Sequence, residues 1–165
     1  NMICAEAGLT PPALYRYFPN KHAVIKELGV RLMDVQNAAL LDWLRNRYDP
    51  DDLPASFERM IREQMEVSDQ LPNSEWIFRA LRASPALSDV RLASHQYMTE
   101  QLTNWALWRW PHLDPAECQR HFRLTIELGY AAMEMIVDLK ENKQSHYYIM
   151  TANMLADFHR SLFQN

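Results

Sequence analysis

Apolar residues recur at intervals of three and four along almost the whole chain, the period of a helix with one buried face. Pro or polar clusters interrupt the pattern and divide it. Thr10 offers a cap and Pro11 a first helical residue for a very short helix over about 11–17. Pro19-Asn20 breaks the chain, and Asn20 caps a long helix over about 21–47 with the stripe Val24, Ile25, Leu28, Leu32, Val35, Ala39 and Leu40. The stretch YDPDDLPAS, 48–56, reads as a linker and as the domain boundary. Beyond it the spacing predicts helices over about 55–69 and 74–83, and another restarting at Ser84-Pro85 and running to Trp110. Asp114-Pro115-Ala116-Glu117 then places a cap, a Pro and an acid at the head of a helix to about 140. A last helix covers about 146–163.

The final two helices differ from the rest. Phe122, Ile126, Tyr130, Met133 and Val137 define one apolar face; Leu124, Leu128, Ala131, Met135 and Leu139 define another. In the last helix Tyr148, Ala152, Leu155 and Leu162 stand beside Tyr147, Met150, Met154 and Phe158. A helix apolar on two sides is covered on both. One side faces its own core, and the other is expected to meet a second copy of the chain, giving a homodimer built by the last two long helices.

Composition narrows the class. Among 165 residues there are three Gly and no Asn-Gly or Asp-Gly pair, which argues against hairpins and for an all-α fold. The net charge of -4 excludes a polybasic nucleic-acid binder, although residues 1–48 carry six Lys or Arg against four acids. No apolar run reaches the roughly 18 residues of a membrane span, and no signal-peptide pattern opens the chain. Cys4 and Cys118 lack metal or disulfide spacing and read as reduced, buried side chains. A cytoplasmic protein without a membrane partner is the expectation.

The opening residues carry the most specific signal. A Gly-containing turn at Gly8 followed by a short helix with exposed tips is the layout of a helix-turn-helix, whose second helix enters the DNA major groove. The segment AEAGLTPPALYRYFPNKHAVIKEL resembles the DNA-binding signature of TetR-type transcriptional repressors, through Ala5, Gly8, Leu14-Tyr15, Tyr17-Phe18, Asn20-Lys21 and the long helix that follows. In that family a further helix precedes the helix-turn-helix, so the resemblance implies residues upstream of residue 1. It also implies a two-part chain: a reading head over 1–47 and an effector-binding, dimerising body over 48–165. The expected function is that of a repressor that binds a palindromic operator in double-stranded DNA as a homodimer.

Within the head, Gly8 permits a positive φ at the turn. Thr10 can cap the short helix and offer its hydroxyl to a phosphate, and the helix N-terminus attracts the same group. Pro11, Pro12 and Ala13 form a short apolar edge suited to a thymine methyl. Leu14 and Phe18, four apart, point inward, which turns Tyr15 and Arg16 outward. Arg16 can read guanine or clamp a phosphate. Tyr17 and Lys21 are expected on backbone phosphates. The plain alternative makes Tyr15 and Tyr17 core aromatics and Arg16 and Lys21 solvated charge.

In the body, the aromatic supply of the middle helices suggests a pocket for a small hydrophobic effector. Candidate lining residues are Met60, Trp76, Tyr97, Met98, Trp105, Trp108, Phe122 and Tyr130, with His95 or Glu127 as a polar anchor and Met65 beside Met60 as adaptable wall. The alternative for each is ordinary core. His112, Cys118 and His121, with Glu117, fit no zinc spacing, and no phosphate loop, nucleophile elbow or zincin motif occurs. No metal, cofactor or catalytic residue is expected. A helical interaction module without DNA binding is the reading of a different class.

Overall fold

The computed structural model describes residue 8, residues 10–140 and residues 145–163. The expected first helix tail with Ile3, Cys4 and Ala7 lies outside the described residues. Seven helices follow among those described: α1 Pro11–Tyr17, α2 Lys21–Asn46, α3 Leu53–Asp69, α4 Ser74–Ala83, α5 Ser88–Arg109, α6 Pro115–Asp138 and α7 His146–Ser161. The protein is all-α, with no strand among the described residues.

The helix starts follow local chemistry. Oγ1 of Thr10 accepts from the Ala13 amide at 3.4 Å, and Oδ1 of Asn20 accepts from that of Ala23 at 3.0 Å. Oδ1 of Asp114 accepts from the Glu117 amide at 2.7 Å. Each satisfies one donor that a helix terminus would leave unpaired. Two boundaries differ from the spacing. Leu53, not the later Ala55, begins α3, because the carboxylate of Asp52 caps it by accepting from the Ala55 amide at 3.2 Å. The fifth helix starts at Ser88 rather than at Ser84-Pro85. The residue before Pro is pushed from helical geometry; Ser84 is extended, and a turn closed by the Leu87 amide on the Ser84 carbonyl at 2.9 Å re-aims the chain. That turn buries Leu87 in the core.

Packing forms two apolar clusters. The smaller joins Leu32 and Met33 of α2 to Ile77, Phe78 and Leu81 of α4, with Leu87 and Val90. Gly29 allows that contact: a Cβ there would stand 2.7 Å from Cδ2 of Leu81. The larger gathers Trp43 and Leu44 of α2, Phe57 and Ile61 of α3, Leu102 of α5, Phe122 and Ile136 of α6, and Tyr148 and Leu155 of α7. Thus α2 belongs to both parts of the chain: it starts beside α1, and its second half is a wall of the body. Leu28 and Val35, expected on its apolar stripe, are exposed. The stripe that is buried runs instead through Leu32, Met33, Gln36, Trp43 and Leu44. Buried polar groups lock it to α3: Nε2 of Gln36 donates to Oγ of Ser68 at 2.9 Å, and Nε2 of Gln64 donates to the Gln36 carbonyl at 3.1 Å.

Candidate functional site

The head is an exposed edge. Gly8 sits at φ +62°, the left-handed geometry that Gly tolerates without strain, and nothing lies within 4 Å of where its Cβ would be. Backbone conformation, not space, is the reason for Gly there. In α1 no residue is fully buried. Leu14 and Phe18 are half-buried together, while Thr10, Pro11, Pro12, Tyr15, Arg16 and Tyr17 are exposed; Ala13 is half-buried and Lys21 exposed at the start of α2. Tyr15 and Tyr17 are therefore not core aromatics. The eight head residues singled out in the sequence lie within one short segment and present aromatic, cationic and hydroxyl groups to solvent.

The body encloses a cavity of about 100 Å³. Met33, Gln36, Asn37, Leu40 and Trp43 of α2 form one wall; Phe57, Met60 and Ile61 of α3 another; His95, Met98 and Trp105 of α5 a third; and Phe122, Ile126 and Tyr130 of α6 a fourth, closed by Leu155 and His159 of α7. Of the residues expected around a pocket, Met60, His95, Met98, Trp105, Phe122 and Tyr130 are brought together here. Trp76, Tyr97 and Trp108 are not. Trp76 is 64% and Trp108 78% exposed, and Tyr97 lines an open groove between α2 and α5. Each sits on the solvent side of its helix; Trp76 packs under the guanidinium of Arg79, 5.2 Å away. Met65 lies away from the cavity in the crevice between α4 and α6. Trp43 and Tyr48, with Gln36 and Asn37, were not expected in the lining. The signal that could have found them is the stripe Met33, Gln36, Leu40, Trp43 and Leu44 on α2.

Polar atoms are few and mostly committed. The Tyr48 hydroxyl and Nε2 of His159 are 3.0 Å apart. Burial, then His121 and Arg160, lowers the His159 imidazole from its ordinary value to about 4, and burial raises the Tyr48 phenol to about 12. Both are neutral at pH 7, so one hydrogen bond joins the hydroxyl and the imidazole, its direction set by the imidazole tautomer. His95 is only 3% exposed, and burial pushes its imidazole below the ordinary value against the opposing pull of Glu127. Nδ1 of His95 is 3.0 Å from Oε1 of Glu127, an ion-pair distance, but off the line of a well-directed hydrogen bond. Glu127 is not itself part of the lining: Arg91 at 3.2 Å and Arg123 at 2.6 Å hold it outside. Burial raises its carboxyl, but His95 and Arg123 outweigh this and the net shift is downward. Nε2 of His95 and the Tyr130 hydroxyl are buried without a protein partner. Oγ of Ser94 donates to Oδ1 of Asn37 at 2.9 Å, tying α5 to α2. Asn37, Ser94 and Met33 line both the cavity and the open groove beside it.

Of the His112, Cys118, His121 and Glu117 set, Cys118 is free and fully buried and His121 stacks on Phe158 with ring centroids 4.2 Å apart, while His112 and Glu117 are exposed. Among the described residues no helix is long and apolar enough to cross a membrane.

A positive-φ Gly, a capped short helix and a long helix leading into an all-α body fit the turn and second helix of a helix-turn-helix. Residues 1–28 match the family model described as bacterial regulatory proteins, tetR family, so the head is that of a TetR-type regulator. No curated protein and no solved structure gives a significant match to the chain.

Proposed function

We propose that the chain is the subunit of a cytoplasmic homodimeric repressor, which binds a palindromic operator and is released by a small, largely apolar effector held in the body cavity. The observation that carries this reading is the shared use of α2. The helix that leaves the head at Lys21 supplies Met33, Gln36, Asn37, Leu40 and Trp43 to the cavity wall. An occupant of the cavity therefore presses on the element that orients the head.

In this reading Arg16 and Tyr15 meet base edges, Pro11, Pro12 and Ala13 pack on a thymine methyl, and Thr10, Tyr17 and Lys21 touch phosphates. The second subunit covers α6 and α7. Leu124 and Met135 of α6, Leu139 at its C-terminal cap, and Ile149, Met150 and Met154 of α7 are exposed apolar residues on neighbouring helices. Single exposed apolar residues are common; six on two long helices form a patch that favours an interface. Two copies place two heads on successive half-sites. The effector acts by population shift, favouring a spacing of the heads that no longer fits them; equal affinity for both spacings would shift nothing.

Recovery of genomic fragments bound by the full-length protein tests the reading. The expected result is a small set of fragments sharing an inverted repeat. Recovery of random fragments, or none, would overturn it.

A further inference from the structure

We infer that the cavity takes a neutral, largely apolar molecule bearing one hydroxyl group, held between Nε2 of His95 and the hydroxyl of Tyr130. This rests on the cavity being the effector site and specifies the chemistry of its ligand.

Three buried polar atoms on this wall make no hydrogen bond within the protein, on two neighbouring side chains: Nδ1 of His95, which faces Glu127, Nε2 of His95 and the Tyr130 hydroxyl. The rings of His95 and Tyr130 are 4.7 Å apart, edge to face, and both residues line the cavity. Nε2 of His95 and Oη of Tyr130 have no protein partner. Such atoms are costly when left unpaired, so a ligand that pairs Nε2 and the hydroxyl gains selectivity from them. The rest of the polar lining is committed: Gln36, Gln64, Asn37, Ser94, Thr125 and His159 each hold a hydrogen bond to another protein group.

The chemistry of the two atoms sets the type of ligand group. Glu127 stands 3.0 Å from Nδ1 of His95, and a carboxylate that close favours the proton on Nδ1 over a lone pair facing it, even off the hydrogen-bond line. Nε2 is then a bare lone pair, an acceptor that needs a donor. Tyr130 has a proton to donate, with its phenol held well above its ordinary pKa by burial. A hydroxyl donates one hydrogen bond and accepts another, so a single such group serves both atoms. A carboxylate would meet the Nε2 lone pair with no proton between them, and a hydrocarbon would leave both atoms unpaired.

Titration calorimetry on the full-length protein with 4-ethylphenol, ethylbenzene and 4-ethylbenzoate tests this. The phenol is expected to bind about tenfold more tightly than ethylbenzene, the combined net worth of its two hydrogen bonds, and the benzoate more weakly than either. Tyr130→Phe keeps the ring and its packing, and should cut the preference for phenol over ethylbenzene to about threefold or less while leaving ethylbenzene binding in place. His95→Phe should do the same through the acceptor. Equal binding of phenol and ethylbenzene by the parent overturns the inference and leaves the cavity as an effector site. So does a preference that survives Tyr130→Phe. Binding of none of the three overturns the effector site and the hydroxyl inference together.

Discussion

The head and the body of this protein are stabilised in opposite ways. In α1 no side chain is fully buried, and the helix is held by the Thr10 cap, two Pro in its first turn and a closing bond from the Phe18 amide to the Leu14 carbonyl at 3.0 Å. The body is held by two buried clusters and by polar groups that pair out of solvent. Chemistry meant for an outside surface is therefore written locally in the head. In the body both stability and binding depend on residues far apart in sequence, such as Tyr48 with His159. Substitutions should separate the two: body changes act on the fold, and head changes on what the fold presents.

The largest effect should come from the body core. Ile136 of α6 is fully buried, and Ile136→Ala should cost about 2–5 kcal/mol in urea denaturation. Tyr17→Ala, at an exposed head residue, should stay within about 0.5 kcal/mol in the same assay. A comparable loss from both would break the comparison.

Acid should act on the body next. The folded protein holds His159 at about 4, against an ordinary 6.5. Between those values the unfolded chain binds the proton and the folded one does not. The contribution is fully present above pH 6.5 and is lost as pH falls through 4, a difference of about 3 kcal/mol. His95 and His121 are also lowered, chiefly by burial, and act in the same direction. Denaturation midpoints at pH 7 and pH 4.5 measure the loss, and His159→Gln should flatten it. A midpoint indifferent to pH would show that His159 charges freely in the fold.

Smaller effects belong to the head. Thr10→Ala removes the cap of α1 and should cost about 1 kcal/mol locally. Faster amide exchange within α1, with an unchanged global midpoint, is the expected result; a global shift would show that the head is coupled to the core. Lys21→Ala should change stability least of all. Its effect should appear as a DNA-binding salt dependence reduced by about one unit of slope, the signature of one lost phosphate contact.

The same contrast explains what could be read from the residues alone. The head was legible because Gly8, Thr10, Asn20 and the inward pair Leu14 and Phe18 act on neighbours three or four residues away. Helix identities were legible for the same reason, and the start of α5 was missed because a tertiary requirement, burial of Leu87, set it. The cavity was half legible. His95, Met98, Leu102 and Trp105 form a helical stripe, and all four line it. After steps of three, four and three the next position of that stripe is Arg109, so Trp108 falls off it onto the solvent side of α5, 78% exposed. Aromatic content alone does not show which face of a helix a residue occupies; the spacing does. Trp43 was missed because the whole of α2 was assigned to the head over 1–47 and its stripe ended at Leu40, although the buried stripe continues into the body.

The central claim is that the exposed edge of α1 reads DNA sequence. Fluorescence anisotropy of full-length protein on one of its recovered genomic fragments and on random DNA of the same length, at one salt concentration, tests it most directly. The account predicts binding to the genomic fragment at least ~10³-fold tighter, with Arg16→Ala eroding that ratio and Lys21→Ala weakening both affinities alike. Equal affinity for the two DNAs would contradict it.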